Sequence, residues 1–316
     1  MSSRSIPSWA FLLALMTIAC LAGLPFALEN YAIRLATMML MYGVLAWGWN
    51  IIGGYCGYPS FGTAAFFGLG AYTGAILLSQ KLIPFWLSPV LGAVACMLLA
   101  IIIGSPILRL RGHYFAVASL GIGEVLRHVA TSWTDLTRGG MGINLPPMLG
   151  SLAGEARLFY YAMLILAVAS FGATVLVARS RLGVGLRCIR QNEQAANMIG
   201  IDTTRAKVTA FALSATMPGA AGAIYASWIG YIDPSDVFDI LIAIKAPIMV
   251  LLGGASTILG PLLGAVAYLV FEELVWSNLL QFHNAMLGII VVVLVLFMPN
   301  GAIDLLRRRA RMEAAR

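Results

Sequence analysis

Charge is scarce in this chain of 316 residues: only 10% of it is Asp, Glu, Lys or Arg, against roughly 25% in a soluble domain. That shortage excludes an ordinary water-soluble fold. Cysteine is scarce as well. The four, Cys20, Cys56, Cys96 and Cys188, lie far apart with no CxxC pair, so neither a disulfide framework nor a thiolate metal site is expected. The histidines His113, His128 and His283 form no metal-ligand pattern. There is no G-x-x-x-x-G-K-S/T phosphate loop, nucleophile elbow, H-E-x-x-H helix or dinucleotide fingerprint, so the chain is not expected to hydrolyse ATP or to be an enzyme. No convincing signal-peptide cleavage site follows the first apolar run.

What is present is apolar. Hydrophobic residues make up 60% of the chain and the mean hydropathy is +0.90. Hydrophobic segments are read at about 7–28, 31–53, 58–79, 85–108, 113–133, 157–179, 207–230, 238–255, 257–275 and 281–299; about 20 residues suffice to cross a bilayer. The expected fold is all-α, a polytopic membrane helical bundle of about ten segments within one membrane domain, 1–316. The third, eighth and ninth segments are rich in glycine and are expected to be short, broken or re-entrant, which brings the range to eight to ten. Gly70-Ala-Tyr-Thr-Gly74 is a GxxxG motif suited to close helix contact. The blocks Gly53-Gly54 and Gly253-Gly254-Ala-Ser256 echo one another weakly, a hint of an internal repeat.

The sparse charges are distributed unevenly. With the N-terminus in the cytoplasm, the cytoplasmic pieces hold 14 basic residues: Arg4; Arg109 and Arg111; Arg179, Arg181, Arg187, Arg190, Arg205 and Lys207; Arg307, Arg308, Arg309, Arg311 and Arg316. The outer loops hold Lys81, Arg138 and Arg157, while Asp233, Asp236, Asp239, Glu272 and Glu273 lie near outer ends. The positive-inside rule therefore sets both termini of this multi-pass membrane protein in the cytoplasm. Position 237 is then expected to be accessible from outside and position 310 only from inside. The net charge of +7 reads as a topology signal and not as affinity for nucleic acid. Within the spans, Glu124 and Arg127 are three residues apart on one helix face and are expected to pair, facing the bundle interior. They either lock helices together or supply a polar lining for a path through the bundle. Arg34 lies where it can snorkel to the interface, and Lys245 requires a partner that its neighbours in the sequence do not identify.

The longest polar interruption is Arg179–Lys207. A helical wheel from Leu182 to Ile199 sets Arg187, Arg190, Gln191, Gln194 and Asn197 on one side and Leu182, Leu186, Ile189, Ala195, Ala196 and Ile199 on the other. Gly200 stands where a helix stop is expected, and Asp202 or Thr203 is available to cap the next helix. Glu193 is three residues from Arg190 and is expected to pair with it. An interfacial helix on lipid headgroups, a solvated linker and a docking helix for a soluble partner are the competing readings. The small residues Ala195, Ala196 and Gly200 favour docking.

These residues also carry a family resemblance. Arg187-Cys-Ile-Arg190-Gln-Asn-Glu193-Gln194-Ala195-Ala196-Asn-Met-Ile-Gly200-Ile201 resembles the cytoplasmic signature of permease subunits of branched-chain amino acid ATP-binding-cassette importers, with Gln194 in the Glu position of the EAA-type loop. Ser60-Phe61-Gly62, Gly68-Leu69-Gly70-Ala71-Tyr72, Thr137-Arg138-Gly139-Gly140-Met141-Gly142-Ile143, Gly253-Gly254 through Gly260-Pro261 and Gly264-Ala265, and Phe297-Met298-Pro299-Asn300-Gly301 match in order, closest to the M-type subunit. The resemblance implies alternating access in a complex with ATPase subunits, a second, homologous permease subunit and an external solute-binding protein. ATP is then used by the partners, and no cofactor is bound by this chain. The docking helix spans about 180–205, carrying Arg187, Arg190, Glu193, Gln194, Ala195, Ala196 and Gly200, and a short basic tail occupies 302–316. Pro218, Gly219 and Gly222 are expected to form a flexible point. The alternatives are a related importer for urea or another small polar solute, and an ion-coupled secondary transporter in which Glu124 carries a proton.

Overall fold

The computed structural model describes residues 16, 19–26, 28–148 and 151–278. The tenth segment and the basic tail lie outside the described residues, and the first segment is covered in part. The second to ninth segments each become a helix. α1 (Asn30–Trp49) runs directly into a π-helical turn, Asn50–Tyr55. α2 (Thr63–Ser79), α3 (Ser88–Ile107) and α4 (His113–Ser132) follow, then the short α5 (Thr134–Thr137). After α6 (Leu152–Arg179) come α7 (Arg181–Gln191), α8 (Glu193–Met198) and α9 (Thr203–Ile229). α10 (Pro234–Val237), α11 (Ile240–Gly253) and α12 (Gly260–Asn278) complete the described chain. Four helical stretches, Asn30–Tyr55, Phe85–Ile107, Ala153–Arg179 and Thr203–Ile229, are long and apolar enough to cross a membrane. α2 has 17 residues and α11 has 14, in keeping with the expected short segments.

α9 is the centre of the bundle. Its most apolar stretch is 72% buried, close to the 78% of the stretch Asn30–Tyr55 that packs beside it, whereas that of Phe85–Ile107 is only 22% buried. α3 accordingly turns Val90, Val94, Leu98, Ile101 and Ile102 outward as an exposed apolar surface. Lipid is as apolar as a helix surface, so close backbone packing must hold such a bundle together. α9 provides it with Ala215, Gly219, Ala220, Ala221, Gly222, Ala223 and Ala226, all buried. A Cβ on Gly70 would overlap the Gly219 backbone, and one on Gly74 would lie 3.1 Å from the Ala223 Cα. The Gly70–Gly74 motif is therefore the seam between α2 and α9. The same packing corrects the expectation of a flexible point. α9 continues through Pro218 as one helix, with Gly219 pressed against α3 and Gly222 against Phe67.

The connections fall at two ends. At one, Lys207 reaches Leu108, Arg111 approaches Glu193, and Arg190 reaches Gly54 and Ser256. At the other, Ile143–Asn144 (β1) pairs antiparallel with Tyr231–Ile232 (β2), Tyr31 donates to Glu273, and Phe85 packs on Phe159. The basic connections thus share one end and the Asp233–Asp239 loop lies at the other. Val237 corrects one detail, being fully buried and out of reach of a label, whereas Ser235 and Asp236 are exposed. In a variant lacking Cys20 and Cys188, single cysteines at Ser235 and Met198 should react with a membrane-impermeant maleimide from opposite faces. Labelling of both from one face would contradict this arrangement.

Candidate functional site

The Arg179–Lys207 segment is two helices, not one. Ser180 caps α7, its hydroxyl accepting from the Gly183 N–H at 3.3 Å. The chain then breaks at Asn192, which is extended (φ −160°, ψ 111°), and the Asn192 side chain caps α8 by accepting from the Ala195 N–H at 3.1 Å. A wheel cannot reveal this, since Asn fits a helix pattern but is a better cap than helix interior. Gly200 stops α8 as expected, with φ +87° and the Ile201 N–H donating to the Ala196 carbonyl at 3.1 Å, the geometry of a left-handed C-terminal cap. Asp202 caps α9, accepting from the Arg205 N–H at 3.0 Å.

The break re-aims the side chains. Ala196 is buried within its own chain, at 2% exposure, so it is not part of an open docking face. Ala195 and Gln194 are exposed, and the exposed apolar residues are Met198 (88%) and Ile199 (71%). Glu193 does not pair with Arg190. It turns inward, where Oε1 accepts from Lys207 Nζ at 2.6 Å and Oε2 accepts from the Tyr58 hydroxyl at 2.6 Å. Arg111 stands 3.5 Å from Oε2. Lys207 also donates to the Leu108 carbonyl at 2.9 Å and lies 4.8 Å from the centre of the Tyr58 ring. The cluster therefore ties α8 to α9, to the end of α3 and to the chain before α2. Burial alone would raise the Glu193 pKa, but hydrogen bonds from Lys207 and Tyr58 and the charges of Lys207 and Arg111 outweigh it and hold the carboxyl below its usual value.

Arg190 takes a different partner. Nη1 donates to the Gly54 carbonyl at 2.7 Å and to the Ser256 hydroxyl. These residues belong to two helix breaks, the one between α1 and α2 and the one between α11 and α12. The breaks also hold each other. Asn50 donates from Nδ2 to the Thr257 carbonyl and accepts at Oδ1 from the Ser256 N–H, both at 2.9 Å. The Ser256 hydroxyl donates to the Gly54 carbonyl at 2.6 Å, and the Trp47 indole donates to the Ile258 carbonyl at 2.8 Å. Ser256 has φ +63°, a conformation uncommon for a residue with a side chain and found at functional sites. Gly57, at φ +78°, leaves room for the Arg190 stem, since a Cβ there would lie 2.8 Å from Arg190 Cγ. The two Gly-Gly blocks that echo in the sequence are these paired breaks. Arg187 packs locally, donating to Gly183 and Ala178 with its guanidinium 5.7 Å from the Tyr55 ring centre.

Glu124 and Arg127 do pair, with Nη2 2.7 Å from Oε2. Their side chains are 42% and 40% exposed, respectively, so the pair lies on an open flank of α4 and not in this chain's interior. It is absent from the cluster around α8. Lys245 finds Glu272 on α12, at 2.7 Å.

Glu193 and Lys207 are 14% and 6% exposed, and losing one partner of such a pair strands a buried charge. In detergent, Glu193→Gln or Lys207→Met should each lower stability by about 3–5 kcal/mol, while Glu193→Gln with Lys207→Met should recover much of the loss. Equal losses in the single and double variants would show that the two groups are not coupled. Because the folded Glu193 pKa is depressed, its contribution is present above the ordinary glutamate value of about 4.3 and is lost as the pH falls through the lower folded value. Thermal unfolding should carry this acid-side component in the parent chain and lack it in Glu193→Gln.

With this geometry in place, comparison with known proteins assigns the family. The chain is 29% identical to the high-affinity branched-chain amino acid transport system permease protein LivM of Salmonella typhimurium, over 96% of this chain and 77% of that protein. LivM of Escherichia coli is 28% identical over 96% and 76%. LivH of Salmonella typhimurium, another permease protein of a high-affinity branched-chain amino acid transport system, is 22% identical over 84% and 92%. No solved structure matches. The family described as branched-chain amino acid transport system / permease component matches residues 31–299, and the chain belongs to it.

Proposed function

We propose that this chain is the M-type permease subunit of an ATP-binding-cassette importer that carries leucine, isoleucine, valine or similar small hydrophobic amino acids by alternating access. It works as one permease domain in the inner membrane, with the α7–α8 end and both termini in the cytoplasm. The helices α2, α4, α11 and α12 cross together with the four long apolar stretches, giving eight to ten segments in all. An external solute-binding protein delivers the solute. ATP is bound and hydrolysed by separate ATPase subunits, and this chain binds no cofactor of its own. The relatives named LivM and LivH support a second, homologous permease subunit.

The observation that carries the reading is Arg190. α8 presents Gln194, Ala195, Met198, Ile199 and the Gly200 turn outward, where an ATPase subunit docks. Just behind it, one guanidinium joins this docking segment to both helix breaks. Motion of the docked subunit then reaches α1–α2 and α11–α12 together. Docking and coupling are thereby divided between different side chains.

Variants in the assembled complex test that division. Met198→Asp with Ile199→Asp should leave membrane insertion normal and abolish co-purification of the ATPase subunits. Arg190→Ala should retain the ATPase subunits but lose most solute-stimulated hydrolysis and uptake. If the Met198 and Ile199 variant still binds the ATPase subunits and transports at the parent rate, α8 is not the docking element. In proteoliposomes, the parent complex should take up leucine or valine in an ATP-dependent manner. Robust uptake of urea with none of either amino acid would overturn the substrate assignment.

A further inference from the structure

α4 has two unlike faces. On one, Phe115, Ala116, Ser119, Gly123 and Ala130 are buried. The Phe115 ring packs on Tyr58 and Phe211, and the Ser119 hydroxyl accepts from the Phe61 N–H at 2.8 Å. A Cβ on Gly123 would lie 3.9 Å from Ala65. That face is fixed to α2, to the chain before it and to α9. The other face carries Tyr114, Val117, Gly121, Glu124, Val125 and His128, at intervals that set them on one side of a helix. Tyr114, Val117, Val125 and His128 are exposed, and Gly121 and Glu124 are half-buried. Arg127 joins this face through Glu124, to which its Nε and Nη2 donate at 3.0 and 2.7 Å.

Two features of the outward face find no reason among the described residues. The first is Gly121. Glycine weakens a helix relative to alanine, and Gly70, Gly74, Gly219 and Gly222 are justified by close neighbours. No described atom lies within 4 Å of where a Cβ on Gly121 would stand. The second is the ion pair. Glu124 lies about 16 Å along α4 from His113 and about 12 Å from Ser132, at 1.5 Å per residue. If α4 crosses the membrane, that depth is near the middle of a hydrocarbon core roughly 30 Å thick. Ionic groups at such a depth face protein or water and not lipid. Snorkelling does not relieve the pair, because the Arg127 guanidinium turns back to Glu124 instead of reaching toward the Ser132 end. Nor is α4 among the four described stretches that are long and apolar enough to cross a membrane, so it needs cover.

We infer that the outward face of α4, from Val117 to His128, is the surface on which the homologous permease subunit packs, with Gly121 at the closest approach and Glu124–Arg127 beside it. This rests on the two-subunit reading above and gives the second subunit its place. The depth of the pair excludes the soluble ATPase and solute-binding subunits as its cover. Helices that meet within lipid gain from small residues that let backbones approach and from polar groups that bond across the seam. α4 offers both in adjacent turns. A second copy of this chain is a poorer occupant. A two-fold axis through the seam would bring each residue on it to its own equivalent, carboxylate toward carboxylate. A homologous subunit keeps the fold and the depth of its helices but not the identity of their side chains, so it can meet the pair with complementary groups. α2, against which the buried face of α4 rests, leads directly from the break whose Gly54 carbonyl Arg190 holds. The interface is thereby one helix away from the docking segment's contact.

The test uses the full chain co-expressed with a homologous permease subunit and ATPase subunits. The photo-crosslinker p-benzoylphenylalanine replaces Val117 or Val125, and replaces Ile102 on the exposed apolar surface of α3 for comparison. Irradiation of the purified complex should join Val117 and Val125 variants to peptides of the homologous permease subunit, with little product from Ile102. Products joining two copies of this chain, products with residues 281–299 of the same chain, products with an ATPase subunit, or adducts with lipid alone would each overturn the inference. Equal yields from Ile102 would do the same. Gly121→Leu gives a second measurement. In the chain purified alone it should leave membrane insertion and the thermal midpoint unchanged, whereas Gly70→Leu, at a seam inside the chain, should prevent folding. In the complex, Gly121→Leu should lower recovery of the homologous subunit by about tenfold or more, through over-packing of the seam. Recovery at the parent level, or collapse of the Gly121→Leu chain on its own, would contradict the role given to Gly121. If the parent chain recovers no homologous permease subunit at all, the two-subunit reading fails, a result distinct from a crosslink to another neighbour.

Discussion

A helix that stops inside a membrane protein exposes backbone groups that lipid cannot satisfy. This chain stops two helices side by side and lets each supply what the other lacks. Asn50 bonds both ways across the junction, and the Ser256 hydroxyl covers the Gly54 carbonyl. Arg190 then enters from a third element and binds the same carbonyl and the same hydroxyl. The fold depends on this junction in two respects. It permits α2 and α11 to be short, and it fixes the Arg179–Lys207 segment relative to the membrane helices.

Two anchors of different character hold that segment. The Glu193–Lys207–Tyr58 cluster is a closed, mostly buried network with several partners for each group, suited to rigidity. Arg190 bonds mainly to backbone and to a hydroxyl in a left-handed turn, and its partners sit on two separate helix pairs. On the proposed reading, a push on α8 is borne by the first anchor and distributed by the second. The seam of Gly70, Gly74, Gly219 and Ala223 gives the centre of the bundle little room to absorb the motion locally, because close-packed backbones move as units. The helices left to respond are those flanking the breaks.

Local physics was legible in the sequence, and tertiary pairing was not. Hydrophobic length located the second to ninth segments, and glycine spacing marked the α2 face suited to close contact, though not α9 as its partner. Gly200 and Asp202 were readable because a left-handed stop and an N-cap are properties of a few adjacent residues. Glu124 and Arg127 pair as their spacing implied, yet their exposure depends on what packs beside α4, which spacing does not encode. The same i,i+3 rule failed for Arg190 and Glu193. Asn192 breaks the helix between them and sends Glu193 to Lys207 and Arg190 to Gly54 and Ser256. Ala196 looked like a docking residue because it is small, but it is small in order to be buried. Lys245 had no visible partner because Glu272 is a helix away.

The central claim is that the docking segment and both helix breaks move together. Hydrogen exchange on the assembled transporter, with and without a non-hydrolysable ATP analogue, tests it most directly. The account predicts that amides of 50–58 and 254–259 change protection in the same nucleotide-dependent step as those of α8. A change confined to α8, with both breaks unaltered, would contradict it.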